Sequence, residues 1–134
     1  MKSKESLVRD YMTPEPAVVR PDDPVAAVRA LMDRVRIECV PVVDATERLA
    51  GIVTSFDLMR NFVPAVKVQQ VMTERVHTIS PDGSVEEAAR TMRRHGVHHL
   101  VVVSEGRVVG ILSSFDLLRL LEDSPKMDQA LQKR

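Results

Sequence analysis

The sequence has 134 residues, of which 44% are hydrophobic and 28% are charged, a composition typical of one globular domain and not of a disordered chain. Aromatic residues make up only 3%, so we expect an aliphatic core. The 19 basic and 19 acidic residues cancel to a net charge of zero, which argues against nonspecific binding to nucleic acid or to an anionic membrane.

Cys39 is the only cysteine, which excludes an intramolecular disulfide and favours a reducing compartment. It lies in an apolar run, residues 35–43, so a buried, inert thiol is favoured over a reactive nucleophile. No apolar stretch reaches transmembrane length, and residues 1–10 are too polar for a signal peptide. We therefore expect a cytoplasmic protein without a membrane partner.

An internal repeat organises the chain. Met12-Thr13 returns 60 positions later as Met72-Thr73, and the segment GIVTSFD at 51–57 returns 59 positions later as GILSSFD at 110–116. The change of offset indicates that the second copy has lost one residue between its last two strands. The repeat predicts a first unit at 1–62, a second unit at 63–123 and a polar tail at 124–134.

Each copy predicts the element order β-α-β-β-α. The first strands are expected at 17–20 and 77–80, each ended by Pro-Asp. The first helix of copy one is predicted from an N-cap at Asp23 with Pro24 in the first helical position. Its counterpart starts from a Ser84-x-x-Glu87 capping box and ends at Gly96.

Two apolar strands then follow in each copy, at 39–43 and 49–53 and again at 100–103 and 108–112. A second helix is predicted from about Phe56 and from about Phe115, and residues 2–11 could add a short lead-in helix. One copy has too small a core to be stable by itself. The predicted fold class is therefore α/β of the α+β type, with two tandem repeats packed in pseudo-twofold symmetry.

Tandem units of this kind, each opening near Met-Thr and ending Gly-Ile-(Val/Leu)-(Thr/Ser)-x-x-Asp-Leu, resemble a pair of cystathionine-β-synthase (CBS) domains, or Bateman module. The resemblance covers residues 8–121. It implies two clefts between the repeats that bind adenosyl ligands such as AMP, ADP, ATP or S-adenosylmethionine, and it implies dimerisation into discs. We therefore expect a stand-alone regulatory homodimer that requires no cofactor, with a regulated partner protein as a further candidate contact.

The duplicated ending carries the chemistry that such a ligand needs. One carboxylate can accept hydrogen bonds from both ribose hydroxyls, which makes Asp57 and Asp116 the candidate ribose contacts. Thr54 and Ser113 lie one turn earlier, where a hydroxyl can reach a ribose or phosphate oxygen beside a helix N-terminus. The same residues also match the [ST]-x-x-[DE] helix-capping pattern, which explains them without any ligand. Both interpretations stay open at this point.

The remaining candidates are the walls and the phosphate end of each cleft. Apolar walls for a purine are expected from the first strand of each copy and from the start of the second strand: Val18, Thr78, Ile37 and Val97. The resemblance makes His98 and His99 candidates for phosphate contacts, and the alternative is a plain surface role. Neighbours on a strand point to opposite faces, which argues against a shared metal ion. Copy one has Glu38-Cys39 in this place, so we expect two unequal clefts.

The sequence differs from nucleotide-binding relatives at two positions. Ser55 and Ser114 stand where those relatives often carry a lysine or arginine that contacts phosphate, so tight binding of a triphosphate is not expected. No nucleophile with its base and no glycine-rich phosphate loop is visible, so we expect no catalytic residues. A sensor is therefore favoured over an enzyme, and a ligand-free interaction scaffold is the alternative.

Overall fold

The protein is described by a computed structural model over residues 6–59 and 65–123. The described residues form six strands: β1 (Thr13–Pro14), β2 (Cys39–Val43), β3 (Leu49–Thr54), β4 (Thr78–Ile79), β5 (His99–Ser104) and β6 (Arg107–Ser113). They form three α-helices: α1 (Val25–Val35), α2 (Val85–His95) and α3 (Ser114–Glu122). Short 3₁₀ turns occupy Val8–Asp10, Asp57–Met59 and Val68–Gln70.

The predicted fold class and the four long strands are confirmed. The first strand of each copy is shorter than predicted. In copy one it is a single parallel bridge between Val19 and Val42, and in copy two it is the two-residue strand β4. A proline follows closely in each copy, at Pro21 and Pro81, and it lacks the N–H that a longer ladder would need.

The start of α1 was predicted one residue too early. Pro24 is the N-cap of α1, with extended backbone angles, and the helix begins at Val25. The Asp23 carboxylate instead accepts the Arg20 N–H at 2.8 Å, so it closes the preceding turn. The prediction for α2 is confirmed, because Ser84 Oγ accepts the Glu87 N–H at 3.0 Å and Gly96 ends the helix with a φ of 64°.

Four strands form one sheet in the order β1-β6-β5-β4, and β2 and β3 form a second sheet. β5 and β6 are an antiparallel hairpin, whereas β4 runs parallel to β5. β1 comes from copy one but pairs with β6 of copy two, with Thr13 opposite Ile111. The equivalent exchange brings Thr73 of copy two beside Ile52 of copy one. The segment before the first strand of each copy, which runs to Ala17 in copy one and from Val68 to His77 in copy two and is here called the lead-in, therefore crosses to the other copy.

The exchange of lead-ins also joins the two cores. Val8, at 0% exposure, packs in the core of copy two, and Val68, also at 0%, packs in the core of copy one. A third apolar layer lies between the two sheets and is built from Cys39, Ile52, Val101 and Ile111. Within the described ranges, no helix is long and apolar enough to span a bilayer.

Several sequence predictions lie wholly or partly outside the described residues. These are the unit boundary at residues 62 and 63, the tail at 124–134, the start of the lead-in at 2–5, and the helix of copy one beyond Met59. The described part of the lead-in contains the 3₁₀ turn Val8–Asp10. Tyr11, which follows it, is tied to α3, because the Tyr11 carbonyl accepts a hydrogen bond from Arg119 at 2.5 Å.

Candidate functional site

The strand-to-helix corner of copy one is a capping arrangement between Thr54 and Asp57. Asp57 Oδ2 accepts the Thr54 N–H at 2.9 Å and the Thr54 hydroxyl at 3.1 Å. The Asp57 N–H donates in return to Thr54 Oγ1 at 3.3 Å. The capping interpretation of this motif is therefore confirmed, and the carboxylate uses one of its two oxygens for it.

The corner of copy two repeats this geometry at the start of α3. Asp116 Oδ2 accepts the Ser113 N–H at 2.8 Å, and Ser113 Oγ accepts the Asp116 N–H at 3.0 Å. Among the described residues, no hydrogen bond reaches Oδ1 of Asp57 or of Asp116. A carboxylate has lone pairs on both oxygens, so the cap leaves each aspartate able to accept bonds from a ligand.

The loop between the first helix and the second strand lies beside the corner of its own copy. The Ser55 N–H donates to the Glu38 carbonyl at 2.8 Å, and the Ser114 N–H donates to the His98 carbonyl at 2.8 Å. Glu38 and His98 are therefore structurally equivalent residues. Pseudo-twofold packing then sets each loop against the corner of the other copy.

The first cleft, here called the histidine cleft, is a cavity of 470 Å³. It joins the Thr54 corner of copy one to the lead-in and the loop of copy two. Its lining includes Ile52, Thr54, Arg75, Val76, His77, Val97, His98 and His99. The predicted contacts Thr54, Val97, His98 and His99 therefore come together here, with Asp57 adjoining through its bonds to Thr54.

The second cleft, here called the acidic cleft, is a cavity of 600 Å³. It joins the Ser113 corner of copy two to the lead-in and the loop of copy one. Its lining includes Glu15, Ala17, Arg36, Ile37, Glu38, His99, Ser113 and Asp116. The predicted contacts Ile37, Ser113 and Asp116 come together here, and His99 and Glu38 border both clefts.

Two of the four predicted wall residues are wrong by one position along the chain. Val18 and Thr78 line neither cleft, whereas the preceding residues, Ala17 and His77, do. Alternate residues of an extended segment face opposite sides, so a one-residue error moves a side chain away from the cavity. Val18 is 37% exposed, and Thr78 is also exposed.

The expectation that His98 and His99 are neighbours on a strand is corrected, because β5 begins at His99 and His98 lies in the loop before it. Both residues border the histidine cleft, and His99 also borders the acidic cleft. His98 Nδ1 lies 3.4 Å from the Ser114 hydroxyl. In the part of the chain that the structure describes, no cluster of three or more potential ligands could hold a metal ion.

Equivalent positions in the two clefts carry different charges. Arg75 corresponds to Glu15, His77 to Ala17, and His98 to Glu38. Composition could not reveal this contrast, because the charges cancel over the whole chain. The 60-residue offset pairs these positions, but it does not show which corner each one faces.

Burial and nearby charge lower the pKa of two of the cleft histidines. The pKa of His99 is lowered chiefly by burial, with a further lowering by His98, against which Glu38 and Asp116 act. The pKa of His77 is lowered by desolvation and then by His95 and Arg75. The rings of His77 and His95 are stacked, with centroids 4.0 Å apart.

Two further features bear on the clefts. Phe56 and Phe115 each add an exposed ring to one lining, with 78% and 77% of the residue exposed, and sequence reasoning missed them. Cys39 lies at the edge of the acidic cleft but is only 5% exposed. Burial, and secondarily Asp57, raises the pKa of its thiol to about 12. The prediction that Cys39 is buried is confirmed.

A surface groove on α2 has a larger volume, 630 Å³, and is a weaker candidate site. Its lining comes from α2 alone: Glu86, Ala89, Arg90, Arg93 and Arg94. A groove along one helix offers neither an apolar slot nor converging polar groups from several elements, which ligand sites usually combine.

A protein-family profile for the CBS domain matches residues 8–64 and again residues 68–123. The chain belongs to the CBS domain family. The two matches correspond to the two copies of the repeat, which confirms the resemblance inferred from the sequence. The paired clefts described above are therefore those of a CBS domain pair.

Solved structures of other CBS proteins share this fold. The CBS domain pair of protein MJ0100, in complex with 5′-methylthioadenosine and S-adenosyl-L-methionine, is 28% identical with a TM-score of 0.81, over 90% of this chain and 98% of that one. CBSX2 in complex with AMP is 25% identical with a TM-score of 0.79, over 88% of this chain and 97% of that one.

Among curated sequences, a homoserine O-acetyltransferase of Methanococcoides burtonii is 34% identical over 116 residues, which is 85% of this chain and 24% of that enzyme. The chain spans about a quarter of the length of the curated relatives it matches. The similarity therefore covers a segment of each enzyme that is about as long as this CBS domain pair.

Proposed function

We propose that this CBS pair is a regulatory module whose histidine cleft binds an adenine nucleotide, AMP in preference to ADP or ATP. The observation that carries the proposal is the composition of that cleft. A 470 Å³ cavity combines a hydroxyl corner, an aliphatic wall and basic side chains from two copies of the repeat. This volume lies within the usual range for small-molecule sites, about 300–1,000 Å³.

Each part of a nucleotide has a matching surface in the histidine cleft. Ile52, Val76 and Val97 supply an apolar wall for the purine. The Thr54 hydroxyl and the second oxygen of Asp57 are suited to the ribose hydroxyls, since the cap occupies only Oδ2. Arg75 offers positive charge to a phosphate, and the nearby histidines offer ring N–H donors.

The preference for a monophosphate follows from the corner itself. Ser55 lines the cleft just before Phe56 and brings no charge to compensate further phosphates. Glu38 also lines this cleft and would repel a long polyphosphate chain. The complexes named for MJ0100 and CBSX2 support an adenosyl ligand in clefts of this fold.

Thermal unfolding and calorimetry with AMP and ATP test this proposal. A ligand that binds only the folded state, at 100 times its Kd, stabilises it by about 2.7 kcal/mol, which is a rise of several degrees in Tm. Arg75→Gln is expected to weaken AMP binding, and Glu15→Gln, the matched change in the acidic cleft, is the control. Failure of AMP, ADP and ATP alike to shift Tm would contradict the proposal and favour an interaction scaffold.

We also propose that the module acts as a homodimer. Phe56 and Met59 of copy one are 78% and 75% exposed, and the equivalent Phe115 and Leu118 of copy two are 77% and 51% exposed. The same apolar pair thus occurs twice, at positions related by the internal repeat. A patch with this pseudo-twofold symmetry is suited to a self-complementary interface with a second copy of the chain.

A further inference from the structure

We propose that nucleotide binding in the histidine cleft is coupled to proton uptake, so that the module holds AMP more tightly as the pH falls, with His77 and His99 as the proton acceptors. This inference rests on the proposed function, because it concerns the regulation of the same site. A module with this coupling responds to nucleotide concentration and to pH together.

All four histidines of the chain gather at this one cleft. Three of them, His77, His98 and His99, line the cavity. The fourth, His95, ends α2 and stacks on His77, with ring centroids 4.0 Å apart. Copy one contains no histidine. Histidine is the side chain whose ordinary pKa lies between pH 5 and 8, so the side chains that change charge near neutral pH are concentrated at this site.

His77 is surrounded by basic groups. The neighbours that act on its charge are His95, at the end of α2, and Arg75, two residues earlier in the lead-in. Desolvation lowers the pKa of His77, and these two neighbours lower it further, so its ring is less protonated in the folded protein than in an unfolded chain. A phosphate bound against Arg75 offsets the nearby positive charge and therefore raises the pKa of His77.

His99 meets charges of both signs. Burial lowers its pKa most, Glu38 and Asp116 act to raise the pKa, and His98 acts to lower it. The acidic cleft, which His99 also borders, carries two further charged side chains, those of Glu15 and Arg36. A phosphate in the histidine cleft adds another negative charge to the two carboxylates that already favour a proton. Binding therefore raises the pKa of His99 as well.

Proton uptake follows from these two changes by linkage. A histidine whose pKa is higher in the complex than in the free protein takes up a proton when AMP binds, and the affinity then increases as the pH falls between the two pKa values. We expect AMP to bind about three- to tenfold more tightly at pH 6.5 than at pH 8. A phosphate monoester is itself protonated near pH 6, so the comparison is made above that pH.

Calorimetry at pH 7 in buffers of different ionisation enthalpy counts the protons exchanged on binding. We expect a net uptake of roughly a few tenths of a proton or more with AMP and none with adenosine, which lacks the phosphate. His77→Gln and His99→Gln keep an N–H donor but cannot titrate, so each should reduce the uptake, and the double variant should lose most of it. Arg75→Gln is the control, because it should weaken AMP at every pH and still leave proton uptake.

The outcomes separate this inference from the proposed function. AMP binding without net proton uptake, or the same uptake with adenosine, would overturn the coupling while the nucleotide site stood. Undiminished uptake in the double variant would overturn the assignment to His77 and His99. The measurement on the unmodified protein needs no variant, so it tests the coupling even if the double variant does not fold. Failure of AMP to bind at any pH would overturn both proposals.

Discussion

Met72 lies so close over Gly51 that a Cβ at Gly51 would be 2.6 Å from the methionine sulfur and 2.9 Å from the Thr73 carbonyl oxygen. The same relationship joins Met12 to Gly110, where a Cβ would be 2.5 Å from the sulfur. The two duplicated motifs are therefore partners in space. The Met-Thr segment of each copy crosses over the glycine strand of the other, and only glycine leaves room for it.

Gly51→Ala is expected to destabilise the protein by about 1–3 kcal/mol, because the backbone of Thr73 cannot move aside as easily as the side chain of Met72. Urea denaturation measures this loss. The control is the double variant with Met72→Ala, which removes the sulfur contact and should cost less than the sum of the two single changes. If the stability losses of the two single variants simply add in the double variant, contact with the Met72 side chain is not the reason that Gly51→Ala destabilises the protein.

Asp57→Ala should cost about 1 kcal/mol of stability, because Thr54 loses the acceptor of its N–H bond. Asp57→Asn keeps an oxygen at that place and should cost less. If Asp57 also holds the ribose, both variants should weaken AMP by about tenfold or more, through loss of charge-assisted bonds. Asp116→Asn, in the other cleft, is the matched control. A stability loss with unchanged AMP affinity would leave Asp57 with the capping role alone.

Stability should fall as the pH drops below about 6.5, the pKa of histidine in an unfolded chain. The pKa values of His77 and His99 are lowered in the folded protein, chiefly by burial. Below pH 6.5 the unfolded chain therefore takes up protons that the folded chain does not, and the stabilisation is fully present above that pH. Unfolding curves between pH 8 and 5 measure the slope. His99→Gln should reduce the dependence of stability on pH. The same dependence in the variant and in the unmodified protein would contradict the contribution assigned to His99.

Leu118→Glu should convert a homodimer to a monomer, because it places a carboxylate in the apolar patch that Phe115 and Leu118 expose. Light scattering at micromolar concentration measures the mass. Arg93→Glu adds a carboxylate at an exposed position on α2 and should leave the dimer intact. A monomer mass for the unmodified chain would refute the proposed assembly.

Cys39 should not react with a thiol reagent such as Ellman's reagent at pH 8 while the protein is folded. The thiol is 5% exposed, and its pKa is raised to about 12, so the reactive thiolate is scarce. One equivalent should react rapidly after unfolding in guanidinium chloride. Rapid labelling of the native protein would show that the acidic cleft opens to reagents at this position.

Much of this architecture could be predicted because its signals are local. The capping motifs at Ser84 and at Ser113-x-x-Asp116, and the apolar runs of β2, β3, β5 and β6, all depend on residues within a few positions of one another. Short-range hydrogen bonds and side-chain periodicity act over the same distances, so a single sequence contains the necessary information. The duplication then repeats each signal in the second copy.

The content of each cleft depends on contacts between residues far apart in the chain, which no local pattern encodes. Nothing near Thr54 indicates that its corner faces His98 and Arg75 of the other copy while the Ser113 corner faces Glu38 and Glu15. That pairing follows from the crossing of the lead-ins and the packing of the two sheets through the layer between them. It follows only once both copies are folded together, because neither copy can bury that layer by itself.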